Sequence, residues 1–425
     1  MFYFVCVFLV ELYAGLETGI PIIFRCCTSR FNVSEGCYIT IHSGREATNM
    51  LANLSHMVDV ASAECAVPAD KERELRTIGE GNFAALNRTV AGSMMAGAQA
   101  AMNAVWEVDA FNCGEPEALR RLPSSRLEAA MVAAGSAGQV ASLSYLLDER
   151  VSKLGVNLVE VLGEALIAAA ANGHVAVVQL LLAAEGIDVN RVHQSDGAFP
   201  LLMAAQQGHA AVVQLFLAVE GVNVNQVNQS NGVFPLLTAA QQGHAAVVRL
   251  LLAAEGIDVY QVNPSNGAFP LLMAAQIGHE AVVQLLLAVE GVNVNQANPS
   301  NGAFPLLMAA QHGHAAVVQL LLEADGVNVN LRNLIDGNFP LLMAAKNGDS
   351  AVVRLLLMAE GLEVNQIDPS NGNFPLLMAA YHGNAEAAQL LLARGADRSM
   401  TIHGMTALDI AIKTGHAQVA AVFLS

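Results

Sequence analysis

The stretch Phe304-Pro305-Leu306-Leu307-Met308-Ala309-Ala310 decides the fold, because the chain contains six copies of it, one with threonine for methionine. The six copies follow one another at a fixed step of 35 residues. They begin at Phe199, Phe234, Phe269, Phe304, Phe339 and Phe374. A period of this size is typical of a solenoid, in which each unit buries its apolar face only against its neighbours. The repeat therefore predicts a stacked array, which favours binding over catalysis.

A glycine inside each unit marks the phase of the array and extends it beyond the six copies. This glycine occurs at Gly138, Gly173, Gly208, Gly243, Gly278, Gly313, Gly348, Gly383 and Gly415. Every step is 35 residues except the last, which is 32. The spacing predicts nine units within residues 124–425, of which the first and the last are degenerate capping units.

Each unit has the pattern of two short helices and a loop, as residues 269–303 illustrate. Pro270 suits the first position of a helix, and Gly278 suits a left-handed cap at its end. After His279 comes a second helix that is apolar on most sides, as expected when neighbouring units cover it. An extended loop then leads to a tight turn at residues 299–302.

With these residues in view, the unit resembles an ankyrin repeat. The family pattern G-x-T-P-L-H-x-A-A corresponds to residues 302–310, G-H-x-x-V-V-x-L-L-L to residues 313–322, and G-A-D-V-N to residues 326–330. The resemblance implies an all-α solenoid of helix-turn-helix units about 10 Å apart, with β-turn fingers projecting from one edge. It also implies a protein-protein interaction scaffold rather than an enzyme. Near-identical units are similar in style to those of bacterial effector proteins.

Three features depart from the family pattern. Phenylalanine replaces its threonine in six units, leucine replaces its histidine, and each repeat is about two residues longer than usual; Thr406 keeps the threonine in the last unit. A lost threonine cap costs about 1 kcal/mol, whereas burial of a phenylalanine contributes about 1.5–3 kcal/mol. The hypothesis is that packing of the phenylalanine column replaces a polar network.

The resemblance also implies where a partner binds, because the residues after each Ala-Ala pair line the concave face in this family. These residues are Gln206, Gln207, Gln241, Gln242, Gln276, Gln311, His312, Lys346, Asn347, Tyr381 and His382. Methionines about one turn earlier, including Met273 and Met308, either line the same groove or belong to the core. Contacts are also expected from the finger residues Ser195, Asn231, Ser265 and Ser300. The units differ most near residues 331–382, where specificity is expected.

No pattern for catalysis, for a cofactor or for a metal emerges. The chain has no phosphate-binding loop, no HExxH, no GxSxG and no paired carboxylates at a plausible site. Histidines follow the phase glycine at His174, His209, His244, His279, His314 and His416. In neighbouring units they would stand about 10 Å apart, too far to share a metal bonded at about 2.1 Å. A structural role in the turn is predicted for them.

The charge of the chain limits its partners. The formal net charge of −17 repels phosphate backbones, so nucleic acid is not expected and a basic or neutral protein is favoured. An acidic column follows each second helix at Glu185, Glu220, Glu255, Glu290, Asp325 and Glu360. It is either solvated surface or a ridge that steers a basic partner.

Cysteine usage favours a reducing compartment. Four of the six cysteines lie in the first 37 residues, and none follows Cys113. No spacing typical of a disulfide scaffold or a metal site occurs, so the cytoplasm is expected for the array.

Residues 1–24 begin with an apolar stretch that Glu11 and Glu17 interrupt. They form a weak signal or membrane-associating segment, a buried element, or sequence upstream of a true start at Met50 or Met57. Membrane association or secretion is expected only through this segment. Residues 25–123 are a non-repeat, partly helical region. Two alternatives remain: an enzyme or membrane-tethered regulator with activity in residues 25–123 and the array as targeting arm, or a structural spacer.

Overall fold

The computed structural model describes residues 127–150 and 158–424 of the chain. The expectations for residues 1–24 and 25–123 lie outside this part. Within it, nine helix pairs follow one another, and unit n is used below for the n-th pair. Odd-numbered helices are the first helices of their units, and even-numbered helices are the second.

The helices of units 1 to 4 are α1 (Leu127–Ser136), α2 (Val140–Tyr145), α3 (Leu158–Asn172), α4 (Val175–Leu182), α5 (Pro200–Gln206), α6 (Ala210–Leu217), α7 (Pro235–Gln241) and α8 (Ala245–Leu252). Those of units 5 to 9 are α9 (Pro270–Ile277), α10 (Glu280–Leu287), α11 (Pro305–Gln311), α12 (Ala315–Leu322), α13 (Pro340–Asn347), α14 (Ser350–Met358), α15 (Pro375–His382), α16 (Ala385–Ala393), α17 (Ala407–Lys413) and α18 (Ala417–Leu424). A π-helical segment, Leu146–Arg150, continues α2. Two short strands, β1 (Thr401–Ile402) and β2 (Met405–Thr406), pair antiparallel just before α17.

No helix in the described part is both long enough and apolar enough to cross a membrane. The helices instead bury their apolar faces against one another. Each first helix packs on the first helix of the next unit, and the second helices form a parallel row in the same way. In unit 5 the small side chains of Ala274 and Ala275 are fully buried, as are Val282 and Val283 on the second helix. Alanine at these positions lets neighbouring helices approach closely, which produces one continuous core along the array.

A buried phenylalanine precedes α5, α7, α9, α11, α13 and α15. Its backbone is extended, with φ between −143° and −136°, and the following proline occupies the first turn. The side chain makes no capping hydrogen bond, and Phe304, for example, is only 1% exposed. The burial agrees with the hypothesis that packing of this column replaces a polar cap.

In unit 9 the first helix begins with a polar cap instead of a buried phenylalanine. The backbone N–H of Asp409 donates to the hydroxyl oxygen of Thr406 at 3.2 Å, and the backbone N–H of Thr406 donates to the Asp409 carboxylate at 2.8 Å. These reciprocal bonds are a capping box. Hydrogen bonds from the backbone and the hydroxyl of Thr406 hold the pKa of Asp409 below its usual value. The same helix start is therefore stabilised in two ways within one chain.

In six units a histidine follows the phase glycine and connects neighbouring units. Its ring Nε2 lies 2.8–3.0 Å from a backbone carbonyl at the end of the preceding first helix. A carbonyl only accepts, so Nε2 carries the proton and donates. We call this column of bonds the helix-end ladder. Asp349 interrupts it in unit 7, where Asn347 Nδ2 donates to the Gln311 carbonyl at 2.6 Å instead.

A second ladder connects the fingers, the loops that precede the first helices, such as residues 331–338 before α13. Its members are Asn228, Asn263, Asn298 and Asn333. Each is at most 4% exposed and donates from Nδ2 to a carbonyl of the preceding finger at 2.9–3.1 Å. Each also accepts at Oδ1 from a backbone N–H two residues on, at 2.8–2.9 Å. The amide therefore holds its own turn and fixes the finger to its neighbour.

Asp368 takes the place of the asparagine in the unit 8 finger. It is fully buried, its Oδ1 accepts from the backbone N–H and the hydroxyl of Ser370, and its Oδ2 has no hydrogen-bond partner among the described residues. A carboxylate has no N–H, so it cannot donate to the Asp336 carbonyl as the amides of the ladder do to theirs. This junction therefore lacks the amide bond, although the Ser370 hydroxyl lies 3.5 Å from the Asp336 carbonyl, and it keeps a buried acceptor unsatisfied.

We expect Asp368→Asn to stabilise the array by about 1–3 kcal/mol, because it restores the donor and removes the cost of the unsatisfied buried oxygen. The measurement is urea unfolding followed by circular dichroism. Asp336→Asn is the matched control, since it removes the same charge from an exposed side chain and should change stability by less than about 0.5 kcal/mol. Equal effects of the two substitutions would show that net charge, and not the ladder, is responsible.

Candidate partner-binding surface

The residues predicted to contact a partner lie side by side at the ends of the first helices. The side chains of Gln206, Gln241, Gln276, Gln311 and Lys346 are partly exposed, and those of Gln207, Gln242, His312, Asn347, Tyr381 and His382 are exposed. They occupy the same two positions in six consecutive units, so the stacking of the first helices aligns them in two adjacent rows. We call this surface the first-helix face. Ile277, which is 40% exposed, completes it in unit 5.

The methionine column one turn earlier lies at the edge of this face. Met203, Met273, Met308 and Met378 are partly exposed, whereas Met343 and Thr238 at the same position are 6% exposed and count as buried. Thr238 donates its hydroxyl to the Pro235 carbonyl at 3.0 Å, inside its own helix. Four of the six positions thus offer a flexible apolar side chain to solvent beside the glutamines.

The glutamine side chains of the first-helix face have no structural partner. Within residues 127–150 and 158–424, none of Gln206, Gln241, Gln276 and Gln311 uses its amide in a hydrogen bond to the protein. Their backbone carbonyls, in contrast, receive bonds from the helix-end ladder or from Asn347. The polar groups that hold the array together are therefore distinct from those that this face presents to solvent.

The face carries little charge. From unit 3 to unit 6 it carries no Asp, Glu, Lys or Arg side chain, and Lys346 is the first formal charge along it. Partial burial, followed by the charges of Lys346 and His416, lowers the pKa of His382. This shift favours the neutral form of the His382 imidazole, and its ring lies edge-on to Tyr381 at 5.1 Å between centroids. In unit 6 the His312 and His314 rings are stacked at 6.1 Å.

The finger residues Ser195, Asn231, Ser265 and Ser300 are exposed, as a contact role requires. The structure adds two finger residues that the sequence analysis did not single out, Leu334 and Ile335, which are 95% and 64% exposed. The signal was present in the sequence, because other fingers carry Gln-Ser or Pro-Ser at these two positions. The acidic column after the second helices, from Glu185 to Glu360, is exposed in every unit.

One finger brings a serine, a histidine and an aspartate together, but not in a catalytic arrangement. Ser195 Oγ and Asp196 Oδ1 both approach the same ring nitrogen of His193, at 3.1 and 2.7 Å. A nucleophilic triad needs the two partners on different nitrogens, so that the ring can pass a proton. The cluster closes the turn instead: a bond from the Ala198 N–H, and then the contact with His193, lower the pKa of Asp196. No group of three or more His, Cys, Asp or Glu side chains suited to a metal occurs in the described part.

Comparison with known families decides the class of these units. The model of ankyrin repeats (three copies) matches residues 166–263, 255–333 and 341–425, which together exceed half of the chain. The chain belongs to the ankyrin-repeat family. Its nine described helix pairs and projecting fingers confirm the all-α ankyrin solenoid predicted from the sequence. Ankyrin repeats are generally modules for binding other proteins.

One solved structure similar to the chain is the crystal structure of the human ASB11 ankyrin repeat domain. The two are 29% identical over 55% of this chain and 98% of that chain, with a TM-score of 0.47. A comparison with curated protein sequences finds no match.

Proposed function

We propose that this ankyrin array is a scaffold that holds a protein partner on the first-helix face and the finger tips. The proposal rests on one observation: the polar side chains that join neighbouring units differ from those that the first-helix face exposes. Histidines and asparagines at fixed positions make the bonds between units, whereas the glutamines of the first-helix face make none within the described residues. Uncharged amides beside flexible methionines form an adaptable contact surface.

The charge of the array shapes the choice of partner. The chain as a whole has a net charge of −17, and the side chains of the acidic column are exposed to solvent. A partner that is basic or neutral overall approaches such a surface faster than an acidic one, and nucleic acid is repelled. We place the array, residues 124–425, in the cytoplasm, since its lack of cysteine fits a reducing compartment. The array acts by binding, not by chemistry.

The test is cross-linking of the full chain to its partner in cells, with partners identified by mass spectrometry and compared with those of a first-helix variant. Gln241→Lys, Gln276→Lys and Gln311→Lys together place three cations on the first-helix face. The array tolerates a cation there, because Lys346 already occupies the same position in unit 7. We expect loss of the partner by about tenfold or more in captured amount, since desolvated unpaired charges oppose a neutral contact.

A control variant with the same added charge shows whether the loss of the partner is specific to the first-helix face. Gln179→Lys, Gln214→Lys and Gln284→Lys add the same three charges to exposed positions of the second helices, where Arg249 shows that a cation is accepted. This variant should retain the partner. If both variants retain it, the first-helix face is not the binding surface. If no partner cross-links to the natural chain at all, the array is a structural spacer.

A further inference from the structure

Apart from the helix-end bond described above, unit 7 differs from its neighbours mainly in the side chains that its finger and first helix show to solvent. Its core positions repeat those of unit 6, and the finger turn is kept, since the backbone N–H of Ile335 donates to Asn333 Oδ1 at 2.9 Å as the serines do in other units. At the finger tip, Leu334 and Ile335 replace Pro299 and Ser300.

The aliphatic tip has no role in the fold. Leu334 is 95% exposed and Ile335 64% exposed, so neither contributes appreciably to the core. Ile367 on the next finger is 45% exposed and extends the apolar surface to unit 8. The two fingers are connected, because Arg332 Nη1 donates to the Ile367 carbonyl at 3.3 Å. Large exposed aliphatic side chains that gather on adjacent loops are typical of an interaction site.

Unit 7 also carries two cationic side chains, one on its finger and one on its first helix. Along the fingers and first helices of units 3 to 8, Arg191 in the first of these fingers pairs with Glu160 at 3.1 Å, and the other lysine and arginine side chains are Arg332 and Lys346. Neither makes an ion pair within the described part of the chain. Of the acids in unit 7, Asp336 accepts from the backbone and amide N–H groups of Asn338, and the carboxylate of Asp349 faces Gly313 of the preceding unit.

From this combination we propose that unit 7 selects a partner segment in which aliphatic or aromatic side chains stand next to acidic ones. The apolar side chains pack on Leu334, Ile335 and Ile367, and the carboxylates pair with Arg332 and Lys346. The inference rests on the proposed function and names the chemistry of the segment that the scaffold holds. The rest of the partner remains neutral or basic, because the array is acidic elsewhere.

The test is selection of short random peptides displayed on phage against the full chain. The comparison chain carries a unit 7 surface converted to that of unit 6, by Arg332→Ala, Leu334→Pro, Ile335→Ser and Lys346→Gln. Each new residue already occurs at the same position in unit 6, so folding is preserved. We expect enriched peptides that combine Leu, Ile or Phe with Asp or Glu, and a loss of affinity of about tenfold or more on the converted chain.

Two partial conversions separate the contributions. Leu334→Pro with Ile335→Ser should weaken binding equally at low and high salt, whereas Arg332→Ala with Lys346→Gln should weaken it mainly at low salt. Met358→Ala is the matched control, because Met358 is 71% exposed on the second helix of the same unit. It should leave peptide binding unchanged.

The outcomes distinguish this inference from the proposed function. In one outcome, the peptides bind the natural and converted chains alike but are lost when Gln241, Gln276 and Gln311 become lysine. This outcome would overturn the role of unit 7 and support the scaffold. Peptides retained by every variant would contradict both. Failure to enrich any acidic and apolar peptide would overturn the inference, while the cross-linking experiment still decides the scaffold.

Discussion

Replacing Gly243 by alanine is expected to destabilise the array by about 2–4 kcal/mol, through two separate costs. Gly243 has φ +76°, a conformation that disfavours any side chain with a Cβ. A Cβ at this position would also lie 2.6 Å from Nδ1 of His279 in the next unit. The ring would have to move, and with it the bond from His279 Nε2 to the Gln241 carbonyl at 2.9 Å. Urea unfolding followed by circular dichroism measures the loss.

Gly256→Ala provides the control for this prediction. Gly256 has almost the same φ, +75°, but a Cβ there would meet nothing within 4 Å. The Gly256→Ala variant should therefore lose only the backbone contribution to stability, about 1–2 kcal/mol. The difference between the two variants then measures the packing of histidine on glycine. Equal losses would mean that the helix-end ladder contributes nothing at this junction.

The two roles of Gly243 show what the sequence could predict. Its position at the end of a helical pattern predicted a left-handed residue, because that rule is local. Its contact with His279, 36 residues further along the chain, follows only from how one unit stacks on the next. The same holds for the finger ladder: Asn263 was visible as a loop residue, but its bond to the preceding finger depends on the rise between units.

The candidate site was predictable for the same reason that the fold was. A strict period places Gln241, Gln276 and Gln311 at equivalent positions, so a pattern that exposes one of them exposes all three. Burial of individual members was not predictable. Met343 is buried while Met308 is partly exposed, although both occupy the same position in their units, because burial depends on the side chains of neighbouring units. Whether these residues bind a partner stays a prediction.

Phe304→Thr restores the residue that the family carries at this position, yet we expect it to destabilise the array. Phe304 is only 1% exposed, and truncation of a buried phenylalanine typically costs about 3–5 kcal/mol. The new threonine regains about 1 kcal/mol as a helix cap, as Thr406 does in unit 9. The net loss should be about 2–4 kcal/mol, measured as a lower urea midpoint and a lower melting temperature.

Phe304→Leu separates packing from capping at the same position. Leucine keeps an apolar side chain of similar length but cannot accept a hydrogen bond, so it should cost only about 1–1.5 kcal/mol. If packing is what stabilises this helix start, the leucine variant is the more stable of the two, in spite of having no cap. A threonine variant as stable as the natural chain, or more so, would show that the polar cap suffices. The phenylalanine column would then need another explanation, and its burial alone would not supply one.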